Sequence, residues 1–448
     1  MLETNSLKSV IYGLLLIGLA AAVLFIASPS WAKPNAPTEP PTWETAVKIS
    51  NSTHGARNPI ISHSPVSDTV LLVYDNWQSS DGEDRDPFFA ISTNNGTAWS
   101  AGQVVITTTG KSVQPIGILD RQDTGYTFWI EQTPSLWSLV YSSLPAANSS
   151  WSIPAPVYQK DPSAGLILDP NVTVDHNNTL HLVWSVTDFA DSGKTNLWYA
   201  QKPQGGAWST PVEVKDTGPT SREPSVTVDK NGLVHIVWEE ETEDGGTDIR
   251  YVRGHQSGSG FVIDPSGDYR KLNPESVLQA TLPTIHASGN QVFVTYTNLV
   301  DSGDDQLQDV YYGNCSLPCR NLDATGFRSV SGAFVTVNSA DPFNLASNFD
   351  YDSERNAGYI YFHGIQTDTD KEAVIGVNSC DGWGGGSVLR DVATDPNTYR
   401  AIDPSIAVKS DFMQLAYDRI DGSDHQIYVV RGSLNCDALV YLPVIHKQ

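Results

Sequence analysis

The strongest constraint on this chain is an internal repeat. Pro224-Ser-Val-Thr-Val-Asp229, a turn at Lys230-Asn-Gly232, Val234-His-Ile-Val-Trp238, an acidic segment and Asp248-Ile-Arg-Tyr-Val252 make one unit. Pro170-Asn-Val-Thr-Val-Asp175, His176-Asn-Asn178, Leu180-His-Leu-Val-Trp184 and Asn196-Leu-Trp-Tyr-Ala200 repeat it. Each piece alternates apolar and polar residues and is bounded by Gly, Asn, Asp or Pro, the pattern of half-buried antiparallel strands joined by hairpins. Anchored on the first-strand proline, the unit recurs at Pro59, Pro115, Pro170, Pro224, Pro283 and Pro404, with Ser347 in that place in the weakest copy. The spacings are 56, 55, 54, 59, 64 and 57 residues. The second strand ends in an aromatic each time: Tyr74, Trp129, Trp184, Trp238, Tyr296, Phe362 and Tyr417.

A four-stranded unit of this length cannot bury both its faces alone and has to stack on neighbours around an axis. The expected fold is all-β, a seven-bladed β-propeller of four-stranded antiparallel blades. The fourth strand reads as Trp99-Ser, Trp151-Ser-Ile-Pro or Trp208-Ser-Thr-Pro, and a copy, Trp43-Glu-Thr-Ala-Val-Lys-Ile49, precedes the first unit. The last unit runs through Gln426-Ile-Tyr-Val-Val430 and then loses the pattern, so the N-terminal strand is expected to complete the seventh blade and remove the open edges. The implied boundaries are an export segment at 1–32, a Pro-rich spacer at 33–42, the propeller at 43–434 and a tail at 435–448.

The 27 Lys and Arg against 51 Asp and Glu leave a net charge of −24, which excludes a nucleic-acid binder because phosphate neutralisation needs basic surface. Val10 to Ala27 carries no charge, follows Lys8 and leads to Ser30-Trp31-Ala32. It reads as a secretory signal cut after Ala32 or, uncleaved, as a membrane anchor. Either way the body is exported, to the exterior or the cell envelope, and meets a membrane only through an uncleaved segment. In that oxidising setting Cys315, Cys319, Cys380 and Cys436 suggest disulfides, with three pairings possible. The local pair Cys315 and Cys319 closes one loop, leaving Cys380 for Cys436. No nearby His completes a zinc set, so no metal site is assigned.

One segment, Ser92-Thr-Asn-Asn-Gly-Thr-Ala-Trp99, resembles the Asp-box Ser-x-Asp-x-Gly-x-Thr-Trp, with Asn94 in the Asp place and Ala98 in the Thr place. The chain therefore resembles the sialidase-like propellers with BNR repeats, in a degenerate form, from about Trp43 to Gly432. That resemblance implies an arginine triad for a substrate carboxylate, a Tyr with a Glu partner and an acid–base Asp. Arg57-Asn-Pro59 stands where the family has its first Arg-Ile-Pro, and Arg222-Glu-Pro224 matches it in the fourth unit. Sialidases have six blades, and no Tyr and Glu pair can be picked out here. The closing Val440-Tyr-Leu-Pro-Val-Ile445 also looks like a terminal tail of secreted proteins.

The positions just before the first-strand proline or its counterpart are Asn58, Gln114, Asp169, Glu223, Leu282, Ala346 and Asp403. Five are polar and all should project near the axis, where they suit a ligand's hydroxyls, water or a cation. Arg57 and Arg222 suit a carboxylate or sulfate. His181 and His235 fall at equivalent second-strand positions and read as packing residues. The acidic hairpins Asp81–Asp84, Glu239–Asp244, Asp301–Asp305, Asp368–Asp370 and Asp421–Asp424 are solvated turns that leave Ca²⁺ binding open, although none has EF-hand spacing. No nucleophile elbow, His-Glu-x-x-His or phosphate-binding Gly loop occurs.

The leading functional expectation is a monomeric, non-catalytic binding or scaffold module for a glycan or protein ligand, with no cofactor. The alternative is a carbohydrate-active enzyme, a glycosidase of sialidase type or a polysaccharide lyase, gripping an acidic sugar at the axial face.

Overall fold

The computed structural model describes residues 42–433, apart from 147–149, 216–219, 267, 275–278, 302–305, 321, 324, 326, 330–346, 353–356, 367–370, 379–386, 389–400, 410 and 422–423. The export segment, Cys380, Cys436 and the tail lie outside the described residues. Contacts separate Met1–Thr38 from a second compact unit, Glu39–Gln448.

The second unit is all-β, with a three-residue 3₁₀ turn at Phe189–Asp191. Its strands run as successive antiparallel meanders. One is Ala56–His63, Val70–Trp77, Arg85–Ser92 and Gln103–Val104; another is Gly165–Val174, Leu180–Asp188, Lys194–Lys202 and Val212–Lys215. Thr42–Trp43 and Val47–Lys48 pair with Asp424–Ser433, so the start of the fold is an outer strand on its last sheet. Gln426 fastens this join: its Oε1 accepts from Ser50 Oγ at 2.8 Å and its Nε2 donates to the Ser52 carbonyl at 2.7 Å. Arg431 pairs with Glu44. Gly432 is required there, because a Cβ at that position would lie 2.7 Å from the Trp43 ring.

The proline and the aromatic that mark the repeat belong to one structural object. Pairing registers shift between Arg57 and Ile60, Val113 and Ile116, Leu168 and Asn171, Arg222 and Ser225, Thr281 and Thr284, and Ile402 and Ser405. Each shift is a β-bulge setting an Xaa-Pro pair against the one aromatic of the second strand. Proline has no N–H to leave unpaired at the bulge. The residue before it is left-handed, with φ 54° at Asn58, 51° at Gln114, 52° at Asp169, 49° at Glu223 and 54° at Leu282. Ser347, with no proline, pairs in plain register with Phe362.

Strand alternation sends adjacent residues to opposite sheet faces, and every core cluster lies between consecutive sheets. Leu71, Val73 and Phe89 pack with Leu119, Trp129 and Val140 of the following sheet. Leu72 and Tyr74, on the other face, pack with Ala416, Ile427 and Val429 of the last. The Trp-Ser pairs sit at the entry to the outer strand rather than within it, since Gln103–Val104, Ala155–Lys160 and Val212–Lys215 begin after them. Their role is a reciprocal clasp. Ser100, Ser152 and Ser209 each donate a backbone N–H to the third strand, at 2.9, 2.8 and 2.8 Å, while their Oγ atoms accept from it at 3.0 Å. In the degraded Asp-box, Asn94 accepts from the Ala98 N–H at 2.9 Å as an aspartate would. Cys315 and Cys319 form a disulfide.

Two stability predictions follow from this architecture. Trp184→Ala empties a fully buried site between two sheets and is expected to cost about 3–5 kcal/mol in urea unfolding. Deleting residues 42–49 removes the strand pairs and the Gln426 bonds at once and is expected to lower the melting temperature of the whole fold in calorimetry; unchanged melting would refute the N-terminal join as a structural element.

Candidate functional site at the axial mouth

Apart from single bridges of Lys111 to Arg85 and Gln279 to Thr247, the first strand of each described meander has no partner strand on its inner side, so its outward N–H groups need other acceptors. The acceptors come from the preceding sheet. Leu119 N donates to Ser62 Oγ at 3.3 Å, Val226 N to Asn171 Oδ1 at 3.0 Å and Ile285 N to Ser225 Oγ at 3.2 Å. Val408 N donates to Asp350 Oδ2 at 2.6 Å, and Ile61 N to Ser405 Oγ at 3.0 Å. These strands surround one cavity of about 580 Å³, whose lining includes Ile60, Ile116, Asn171, Ser225, Thr284, Asp350 and Ser405.

At the mouth of this channel, beside the bulges, the amide of Gln114 and the carboxyls of Asp169 and Glu239 take the same capping role. Asp169 N donates to Gln114 Oε1 at 3.0 Å, while Gln114 Nε2 donates to Asp169 Oδ1 at 3.0 Å. Glu223 N donates to Asp169 Oδ2 at 3.4 Å, and Leu282 N to Glu239 Oε1 at 2.6 Å. Gln114, Asp169, Glu223 and Glu239 thus follow one another around the rim. Arg222 stands exposed beside them and makes no hydrogen bond or ion pair with the described residues, although its charge lowers the pKa values of all three acids.

The carboxyls are strongly perturbed. Glu223 meets water at the mouth but is walled by neighbouring strands. Desolvation first, then the charges of Asp169 and Glu239, push it up to about 8. Glu239 is raised to about 7, again chiefly by desolvation. Asp169 is raised by desolvation but held back by the Gln114 amide and the Glu223 N–H. Raised carboxyls beside one another are suited to giving or taking a proton near neutral pH.

Of the residues singled out in the sequence, Gln114, Asp169, Arg222 and Glu223 come together here. Arg57 and Asn58 belong to a separate group. The buried Asp75 accepts from Arg57 N at 3.1 Å and Asn58 Nδ2 at 3.0 Å, and Arg57 lies over Trp77 at 4.9 Å. Asp75 is raised to about 6 by burial. Asp403 lies in the strand Ala401–Lys409, and its side chain is outside the described set. Glu239 is the residue the sequence reading misplaced. Glu239, Glu240 and Glu241 end the strand Val234–Glu241 rather than forming a hairpin loop. The signal was its position directly after the second-strand aromatic, which Asp75 shares. Glu240 is buried and pairs with Arg250 at 3.0 Å. His181 and His235 are buried, each between a turn Asp and a Tyr hydroxyl, as packing residues. Among the described residues no group of three His, Cys, Asp or Glu has the geometry to hold a metal ion.

No family model matches the chain, and no curated protein matches it. Solved structures do. An ulvan lyase, a polysaccharide lyase bound to a glucuronic acid and sulfated rhamnose unit, aligns with TM-score 0.52 and 10% identity over 86% of this chain and 95% of its own. A Penicillium chrysogenum α-L-arabinanase complexed with arabinobiose aligns with TM-score 0.50 and 13% identity, over 75% and 98%. A Trypanosoma rangeli sialidase aligns with TM-score 0.45 and 12% identity, over 88% and 60%. The chain has the β-propeller fold of such carbohydrate-active enzymes. At these identities the likeness is one of fold alone.

A carboxyl whose pKa is higher folded than unfolded binds more protons in the folded state, so its contribution to stability is full below its unfolded value and lost as pH rises. For Glu223 that window runs from 4.5 to about 8. Melting temperature is expected to fall across it, and Glu223→Gln is expected to flatten the decline, with Glu239 sustaining the remainder. Parallel wild-type and variant curves in pH-dependent calorimetry would count against the assignment.

Proposed function

We propose that this chain is an exported, seven-bladed carbohydrate-active propeller that hydrolyses a glycosidic bond next to an acidic sugar at the axial mouth. The observation that carries the reading is the convergence of Asp169, Glu223 and Glu239 beside an exposed Arg222 that has no ion partner among the described residues. Glycoside hydrolysis needs one protonated and one ionised carboxyl, and a guanidinium fork suits a sugar carboxylate or sulfate. Seven first strands contributing to one cavity, and an outer strand supplied by the N-terminus, favour a closed ring of seven blades over 43–434. The Cys315–Cys319 disulfide fits an oxidising compartment and a cleaved or retained export segment at 1–32. That propellers of this kind include an ulvan lyase and an arabinanase adds support for a glycan ligand.

The non-catalytic reading rested on the lack of a recognisable catalytic set, and the carboxyl cluster removes that ground. A lyase would need a base for the sugar C5 proton. The raised pKa of Glu223 favours donation to a leaving group instead.

The test is incubation with uronate-containing polysaccharides and fluorogenic glycosides, reading reducing ends and the ultraviolet absorbance of unsaturated products. New reducing ends without that absorbance are expected. Glu223→Gln should lower kcat by about 10²–10⁴-fold, while Arg222→Ala should raise KM for charged substrates more than for neutral ones. Binding without turnover across the panel would return the chain to a binding module, and unsaturated products would make it a lyase.

A further inference from the structure

The carboxyls at the mouth are not equivalent in their hydrogen bonding. Both oxygens of Asp169 face donors, Gln114 Nε2 at 3.0 Å and the Glu223 N–H at 3.4 Å. The Glu223 side chain has no donor among the described residues. The Gln114 amide cannot rotate without loss, because its Oε1 accepts from the Asp169 N–H at 3.0 Å while its Nε2 serves the Asp169 carboxylate. This reciprocal pair fixes which end of the amide is which. Left-handed backbone at both residues, φ 51° and 52°, brings the side chain of one sheet across to the next. Two neutral polar bonds to an ionised carboxylate favour its charged form, and nothing equivalent acts on Glu223.

We infer that Gln114 is a positioning residue rather than a ligand contact: its amide clamps Asp169 as the ionised carboxylate of the site and thereby leaves the proton on Glu223. The inference deepens the hydrolase reading and rests on it for its catalytic consequence. Glu223 then gives its proton to the leaving oxygen as the glycosidic bond breaks, and Asp169 takes a proton from the attacking water or forms the bond to the sugar carbon. The other charges facing Asp169 are Arg222, which favours its ionised form, and Glu223 and Glu239, which oppose it when ionised. Removing the Gln114 donor leaves that opposition in place. The proton should then shift toward Asp169.

The experiment is a carboxyl-¹³C NMR titration of the full chain labelled at Asp and Glu, with Asp169 and Glu223 assigned by Asp169→Asn and Glu223→Gln. In the wild type Asp169 should titrate below Glu223. Gln114→Ala, which deletes the amide, and Gln114→Glu, which keeps the length but places a carboxyl there, should both raise the Asp169 midpoint and bring the two closer. On a cleaved substrate the acidic limb of kcat against pH should move up in parallel, making the loss at pH 5 about tenfold larger than at pH 7, with KM little changed. An Asp169 midpoint unmoved in either folded variant, or a wild type in which Asp169 titrates above Glu223, overturns the inference. A shifted midpoint without turnover on any substrate would leave the clamp standing and defeat the hydrolase reading instead.

Discussion

The structure depends on how edge strands are satisfied. Apart from two single bridges, the first strand of each described meander has a partner strand on one side only, and an unpaired row of N–H groups facing a channel would cost free energy at each position. The chain meets this with side chains from the preceding sheet: Ser62 for Leu119, Asn171 for Val226, Ser225 for Ile285, Asp350 for Val408 and Ser405 for Ile61. Every bond runs in the same sense, from one sheet to the next. The last of these links the end of the chain to its beginning, so the capping scheme and the strand pairing of Thr42–Trp43 with the last sheet reinforce each other.

Burial follows the same rule of dependence on neighbours. Among the described residues the two faces of a sheet supply separate clusters shared with the sheets before and after it. Trp129, Trp184 and Trp238 are fully buried in these shared layers, opposite the bulge of their own first strand. The aromatic therefore does two things. It supplies apolar area to the interface, and it opposes the extra residue of the bulge, turning the residue before proline toward the axis. This coupling explains why the proline and the aromatic travel together along the sequence, and why the unit lacking the proline at Ser347 pairs in plain register.

The repeat made most of the fold legible, because a period of fifty to sixty residues with alternating strands leaves few ways to bury two-faced sheets. The Trp-Ser motif was visible but its work was not: a clasp at the entry to a strand looks, in sequence, like the strand itself. Gln114, Asp169 and Glu223 could be named because the bulge places them at one level in every unit. Glu239 could not, since a run of three glutamates before Thr242 reads as a polar turn until pairing with Ile249, Asp248 and Thr247 draws all three into a strand. Arg57 and Arg222 occupy matching positions in sequence yet differ in surroundings. Trp77 and Asp75 engage the first, while the second is left exposed by neighbours that no local pattern specifies.

The rim also explains why chemistry would arise at this level and not deeper in the channel. Below the bulges most caps on a strand N–H are neutral, Ser62, Asn171 and Ser225 among them, and Asp350 is the carboxylate exception. At the mouth Gln114, Asp169 and Glu239 accept from the left-handed residue of the next sheet. A carboxylate that caps one N–H keeps a second oxygen in hand. Where that oxygen is also bound, as at Asp169, charge is stabilised. Where a neighbouring carboxyl has no donor among the described residues, as at Glu223, desolvation and repulsion raise its pKa. The same bonds that close the inner edge of the sheets thus distribute protons among the acids, and a difference in protonation between adjacent carboxyls follows from the capping geometry without any residue devoted to it alone.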